Sequence, residues 1–152
     1  IYLYELDTSG VPNPRDGTNL LQDPTFATVH EKGNVWGASK RDRSDDGMLQ
    51  PRRRSTISQR VDVEPGQEYL IVLDGSCASA KDQTRVSLTW LDANGETLSA
   101  TADDIALGSR VNSGLMWRMA PENASAADVS VSTVAGKPCL VQEIGLFAYG
   151  AR

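Results

Sequence analysis

The chain has 152 residues, a formal charge of -5 and a pI near 4.8, with 39% hydrophobic and 23% charged residues. A chain of this length forms one domain and buries roughly two-thirds of the surface its unfolded form exposes, so a core is available without metals or staples. The acidic balance argues against a nucleic-acid partner, whose binding draws on clustered Lys and Arg, and no apolar run approaches the ~18 residues of a membrane span.

Alternating or short clustered apolar runs, bounded by Gly, Pro, Asn and Asp, predict strands almost throughout and no long amphipathic helix. In chain order the expected strands are Tyr2 to Leu6, Asn19 to Leu21, Thr25 to Val29, Val35 to Ser39, Ser55 to Val63, Glu68 to Asp74, Arg85 to Leu91, Thr97 to Thr101, Gly114 to Ala120, Ala127 to Thr133 and Cys139 to Ala148. Residues 1–18 are assigned to an N-terminal strand or linker from a preceding region, and 19–150 to the folded domain. So many short strands imply an all-β, two-sheet antiparallel sandwich.

Particular stretches say more. Asp92-Ala93-Asn94-Gly95 reads as a hairpin tip and Glu64-Pro65-Gly66-Gln67 as a second tight turn, because Gly and Asn tolerate positive φ and Pro presets the first turn position. Ile57, Gln59, Val61 and Val63 share one parity and Ser58, Arg60 and Asp62 the other, so this strand has a dry and a wet face. Tyr69-Leu70-Ile71-Val72-Leu73 is apolar on both parities, as a strand in mid-sheet must be. Lys40 to Arg54 carries nine charged residues and reads as a long, functional loop.

Read in order, Asn19-Leu20-Leu21, Asp23-Pro24-Thr25-Phe26, Trp36, Ile57-Ser58-Gln59, Val61 to Tyr69, Val86 to Gly95, Ala120-Pro121, Val129-Ser130-Val131 and Val141 to Leu146 resemble the carbohydrate-binding modules of families four, nine and twenty-two. The resemblance covers about residues 19 to 148. It implies a galactose-binding-like jelly roll that binds a glycan or cell-surface polysaccharide without cleaving it, in an extracellular or virion-associated setting, as part of a larger bacterial or phage protein. Such modules commonly hold a structural calcium, but here Ala27 follows Phe26 and Gln142-Glu143 replaces an acidic pair, so no cofactor is expected. The same fold serves structural or receptor-binding domains of phage tails, virion spikes and adhesins, where neighbouring subunits are the partners. In the resembling fold the strand from Glu68 runs beside the closing strand from Cys139. That topology brings Cys77 near Cys139, and a disulfide is expected if the chain meets an oxidising compartment.

Sugar rings stack their C–H faces on aromatic side chains, with charged groups bonding the hydroxyls. Trp36, Trp117, Arg54 and Arg118 are therefore the candidate ligand contacts, whereas Trp90 and Tyr69 share parity with core residues. The Arg52-Arg53-Arg54 triplet could clamp carboxylate or sulfate groups, or be a solvated loop compensated by Asp42, Asp45 and Asp46. Asp42 to Gly47 imitates the start of a calcium loop, but position twelve is Arg53 where a bidentate Glu belongs. Catalysis has little to draw on: His30 is the only histidine, and neither Cys nor any Ser sits in a nucleophile motif.

Overall fold

A computed structural model describes residues 18–44, 48–55, 57–107 and 113–149. The expected strand at Tyr2 to Leu6, and with it the 1–18 assignment apart from residue 18, lies outside them. Seven strands form two antiparallel sheets, β1 (Ile57–Asp62), β2 (Glu68–Ser76), β3 (Gln83–Leu91), β4 (Thr97–Leu107), β5 (Ser113–Met119), β6 (Ala126–Ala135) and β7 (Leu140–Tyr149). One sheet has the order β1-β6-β3-β4 and the other β5-β2-β7. This is the two-sheet antiparallel sandwich the alternation predicts, and the jelly roll the resemblance implies.

Strand parity builds the core. Ile57 and Gln59 of β1, Thr84, Val86, Leu88 and Trp90 of β3, and Ala127, Val129, Val131 and Thr133 of β6 turn inward, and all are buried. Tyr69, Ile71 and Leu73 of β2, Met116 of β5, and Ile144 and Leu146 of β7 meet them from the other sheet. Period-2 alternation thus produces one apolar layer between two sheets. Leu70 and Val72, on the opposite parity of β2, form a separate buried cluster with Phe147 on the outer face of the three-stranded sheet. The two-sided apolar run at Tyr69 to Leu73 is thereby accounted for: β2 lies between β5 and β7.

Both predicted tight turns form. Gly95 has φ 79°, its N–H donates to the Asp92 carbonyl at 2.9 Å, and Asp92 Oδ1 accepts from the amides of Asn94 and Glu96. Gly66 has φ 75° and Gln67 N–H closes on the Glu64 carbonyl at 3.2 Å.

Three expected strands are absent: Asn19 to Leu21, Thr25 to Val29 and Val35 to Ser39 form turns and irregular chain. Side chains here take the backbone partners that a ladder would need. Asp23 accepts from the amides of Ala27 and Thr28, and Asn34 bonds the carbonyls of Val29, Glu31 and Ala38 and the amide of Ala38. Positive φ at Asp23, Phe26, Gly33 and Gly37 bends the chain as well. The apolar residues are core all the same: Leu21, Phe26, Val29, Trp36 and Ala38 cap one end of the sandwich.

Cys77 and Cys139 are joined by a disulfide, with Cα atoms 4.4 Å apart, immediately beyond the Ser76–Leu140 pair of β2 and β7. A hydroxyl relay adjoins it. Thr133 Oγ1 donates to the Pro51 carbonyl at 2.6 Å; having one proton, it accepts from Thr84 Oγ1, which accepts from Cys139 N–H. The relay ties the charged loop, through Pro51, to β6, β3 and the disulfide.

Candidate functional site

On the outer face of β5-β2-β7 the register sets residues in four rows. Met119, Glu68 and Tyr149 form the first, Trp117, Leu70 and Phe147 the second, Leu115, Val72 and Gly145 the third, and Ser113, Asp74 and Glu143 the fourth. The middle rows are apolar and the outer rows carry carboxylates.

Trp117 is 43% exposed and its ring meets that of Tyr149 edge-on, centroids 4.2 Å apart. Their strands flank β2 on opposite sides, so the two rings meet across it, and Leu70 in the strand between is 1% exposed. Tyr149 is held by its carbonyl, which accepts from Gln67 Nε2 at 2.6 Å. Gly145 completes the arrangement, because a Cβ there would stand 2.5 Å from Cε2 of Phe147. The glycine lets the Phe147 ring lie back along the sheet. Leu115 and Met119, 50% and 54% exposed, flank Trp117 on the same edge strand.

Of the other three candidate contacts, Trp36 is corrected by its burial, while Arg118 and Arg54 lie away from this face. Trp36 is 0% exposed, tilts against Phe26 with centroids 5.3 Å apart, and donates from Nε1 to the Asp23 carbonyl at 2.8 Å. It is a core residue with its polar atom satisfied, not a platform. Arg118 follows Trp117 on a strand, so it shares the parity of buried Met116 and points to the other face, where Nη1 donates to the Trp117 carbonyl. Arg54 stands near Thr133, by the disulfide end of β2, while Trp117 pairs with Leu70 near the opposite end. Six residues of strand, on the order of 20 Å, separate those ends. Of the four, Trp117 alone lies on the exposed aromatic face.

The charged loop is not a loose excursion. Leu49 is fully buried and bridges Val141, and Lys40–Asp42 form a 3-10 turn with a Ser39/Asp42 capping box. Asp42 is 2% exposed, and its carboxylate accepts from Ser39 N–H and Oγ, Arg52 N–H and Ser55 Oγ, the last at 2.6 Å. Burial alone would push this carboxyl up; the bonds from Ser55, Arg52 and Ser39 outweigh it and hold it below the usual carboxylate range. A depressed folded-state value stabilises the fold above the unfolded value near 3.8 and is lost as pH falls through the folded one. Asp42→Asn turns an acceptor into a donor facing donors, at an expected cost of ~2–3 kcal/mol at pH 7. Melting followed from pH 6 down to ~2 checks the sign: the gap between wild type and variant should narrow below about pH 4.

Calcium does not fit these residues. Asp42 is committed to four protein donors, Asp23 to the Ala27 and Thr28 amides and the Thr28 hydroxyl, and no grouping of three or more His, Cys, Asp or Glu side chains occurs among the described residues. Asp45 and Asp46 lie outside them.

No protein-family model matches the chain, and no curated protein matches it. Solved structures do. A family 61 carbohydrate-binding module in complex with β-1,4-galactotriose is similar at 12% identity and a TM-score of 0.50, covering 86% of this chain and 99% of that one. The two share the two-sheet jelly-roll fold. The accessory secretory protein 1, 2 and 3 structure from Streptococcus pneumoniae is similar at 14% identity and a TM-score of 0.50, covering 84% and 96%. Against the enzymatically active domain of bacteriophage CBA120 tailspike protein 4, at 19% identity and a TM-score of 0.48, 61% of this chain is covered but only 13% of that one. The chain likewise spans 66% of a family 4 module.

Proposed function

We propose that this chain is a non-catalytic glycan-binding module, with the outer face of β5-β2-β7 as its binding surface and Trp117 as the stacking platform. One observation carries the reading: a half-exposed indole propped edge-on by Tyr149 on a rigid sheet, with carboxylates in the rows at either end. Flat aromatic surface takes the C–H face of a sugar ring and nearby carboxylates accept from its hydroxyls. The fold alone does not choose a ligand, so the reading rests on this face. The disulfide supports an extracellular or virion-associated setting, within a larger enzyme, surface protein or tail component.

Trp117→Ala tests it on a glycan array backed by calorimetry. Binding of the array ligand is expected to fall at least tenfold, the ~1.4 kcal/mol or more typical of an anchoring aromatic, while the fold loses only about 1 kcal/mol. Retained binding by this variant removes the face from the site.

A second reading draws on Leu115 and Met119: two exposed aliphatic side chains beside an exposed Trp on an edge strand also suit protein contact, as in a tail or adhesin subunit. No array binding, together with self-association or docking abolished by Leu115→Asp, would establish this second function instead.

A further inference from the structure

The three consecutive arginines fall outside the aromatic face, and no ion pair to a described residue, like that of Arg60, holds them. Arg60, by contrast, is paired across β1 and β6 with Asp128 through two bonds of 2.8 and 3.1 Å. Among the described residues no carboxylate pairs with the guanidinium of Arg52, Arg53 or Arg54. Asp42, the nearest described acidic side chain on their N-terminal side, forms no ion pair with them: it lies beneath the turn and spends its oxygens on the Arg52 amide and on Ser39 and Ser55. Among the described residues, the triplet thus has no carboxylate partner, in a chain of net charge -5.

The triplet is also held in place. Ser55 N–H closes a turn on the Arg52 carbonyl at 3.0 Å, Asp42 anchors both ends of that turn, and Arg54 is kept at φ 72°, a left-handed conformation that a non-glycine residue adopts only under constraint. Arg53, Arg54 and Thr133 line an open depression of about 560 Å³. Thr133 is fixed there by the relay from Cys139 to Pro51, next to the disulfide. Three planar forks on a rigid base, beside a recess, are arranged for bidentate capture of oxyanions.

We infer that the Arg52–Arg54 turn is a second binding site, separate from the Trp117 face, and takes the carboxylate or sulfate groups of an acidic polysaccharide. Charge spacing favours this occupant over nucleic acid. A stiff duplex carries a charge about every 1.7 Å and needs an extended basic track to neutralise it, whereas a flexible polysaccharide can bend a few of its anionic groups onto one cationic knuckle and keep the rest away from the acidic body.

The experiment is a titration with dextran sulfate, polygalacturonate, unsulfated dextran and a short DNA duplex, at about 50 and 200 mM salt. Wild type should bind the first two and neither of the others, with affinity for dextran sulfate falling ~20- to 40-fold across that salt range for three neutralised charges. The triple variant Arg52→Ala/Arg53→Ala/Arg54→Ala should lose at least tenfold in affinity at low salt. A charge-matched control, Lys40→Ala/Arg41→Ala/Lys137→Ala, should lose much less, and Trp117→Ala should bind dextran sulfate as wild type does. Equal losses in the two triple variants, undiminished binding by the arginine variant, or tighter binding to the duplex would each overturn the assignment. Because Trp117 is read separately, failure at one site leaves the other standing.

Discussion

Replacing Trp36 by Ala is expected to destabilise the protein by about 4 kcal/mol, near the upper end for a single core truncation. The indole is completely buried against Phe26, and its removal also takes away the donor to the Asp23 carbonyl. Domains of this size are stable by only ~5–15 kcal/mol, and such a loss lowers the melting temperature by roughly 10 °C. Urea unfolding with an unchanged m-value reads it as a change in stability alone. A loss below ~1 kcal/mol would return Trp36 to the surface as a candidate platform.

The second large effect is expected at the disulfide. It closes a loop with a sequence separation of 62 residues, for which the chain-entropy relation gives about 4 kcal/mol. Cys77→Ser/Cys139→Ser should lose that amount, and wild type in reductant should fall to the same level. Reductant should leave the double variant unchanged. A wild type indifferent to reductant would show that the bond contributes nothing to folding in solution.

The seven strands of the two sheets were readable because strand side chains alternate: the parities of β1 and the two-sided run of β2 announced their places before any coordinates. What failed was residues 19 to 39. Leu21, Phe26, Val29 and Trp36 are spaced like strand residues, yet Asp23 and Asn34 satisfy the local backbone with side chains, and apolar spacing carries no trace of that competition. The Asp23-Pro24 and Gly33-Asn34 pairs were the available warning.

For the candidate site, Trp117 was visible as an aromatic followed by Arg118 and flanked by Met116 and Met119, but Tyr149, Phe147 and Leu70 were not. Their proximity depends on the register of β2 against both β5 and β7, which only the folded chain fixes. Arg118 is a different case, since the rule that neighbours on a strand face opposite ways already separated it from Trp117. Asp42, with Asp45 and Asp46, was one possible compensation for the arginines; it is instead buried beneath the turn, where it bonds the Arg52 amide and fixes the backbone of the triplet, and Asp45 and Asp46 lie outside the described residues.

The order β5-β2-β7 bears on how the protein is made. β2 is complete at Ser76, but of its two neighbours one begins only at Ser113 and the other only at Leu140. Until the ribosome has delivered Leu140–Tyr149, the five apolar residues Tyr69 to Leu73 lack a partner along one edge and the cover of Ile144, Leu146 and Phe147. Strand-by-strand folding in chain order is therefore closed to this sheet. Between the emergence of β2 and that of β7 the nascent chain carries an aggregation-prone segment.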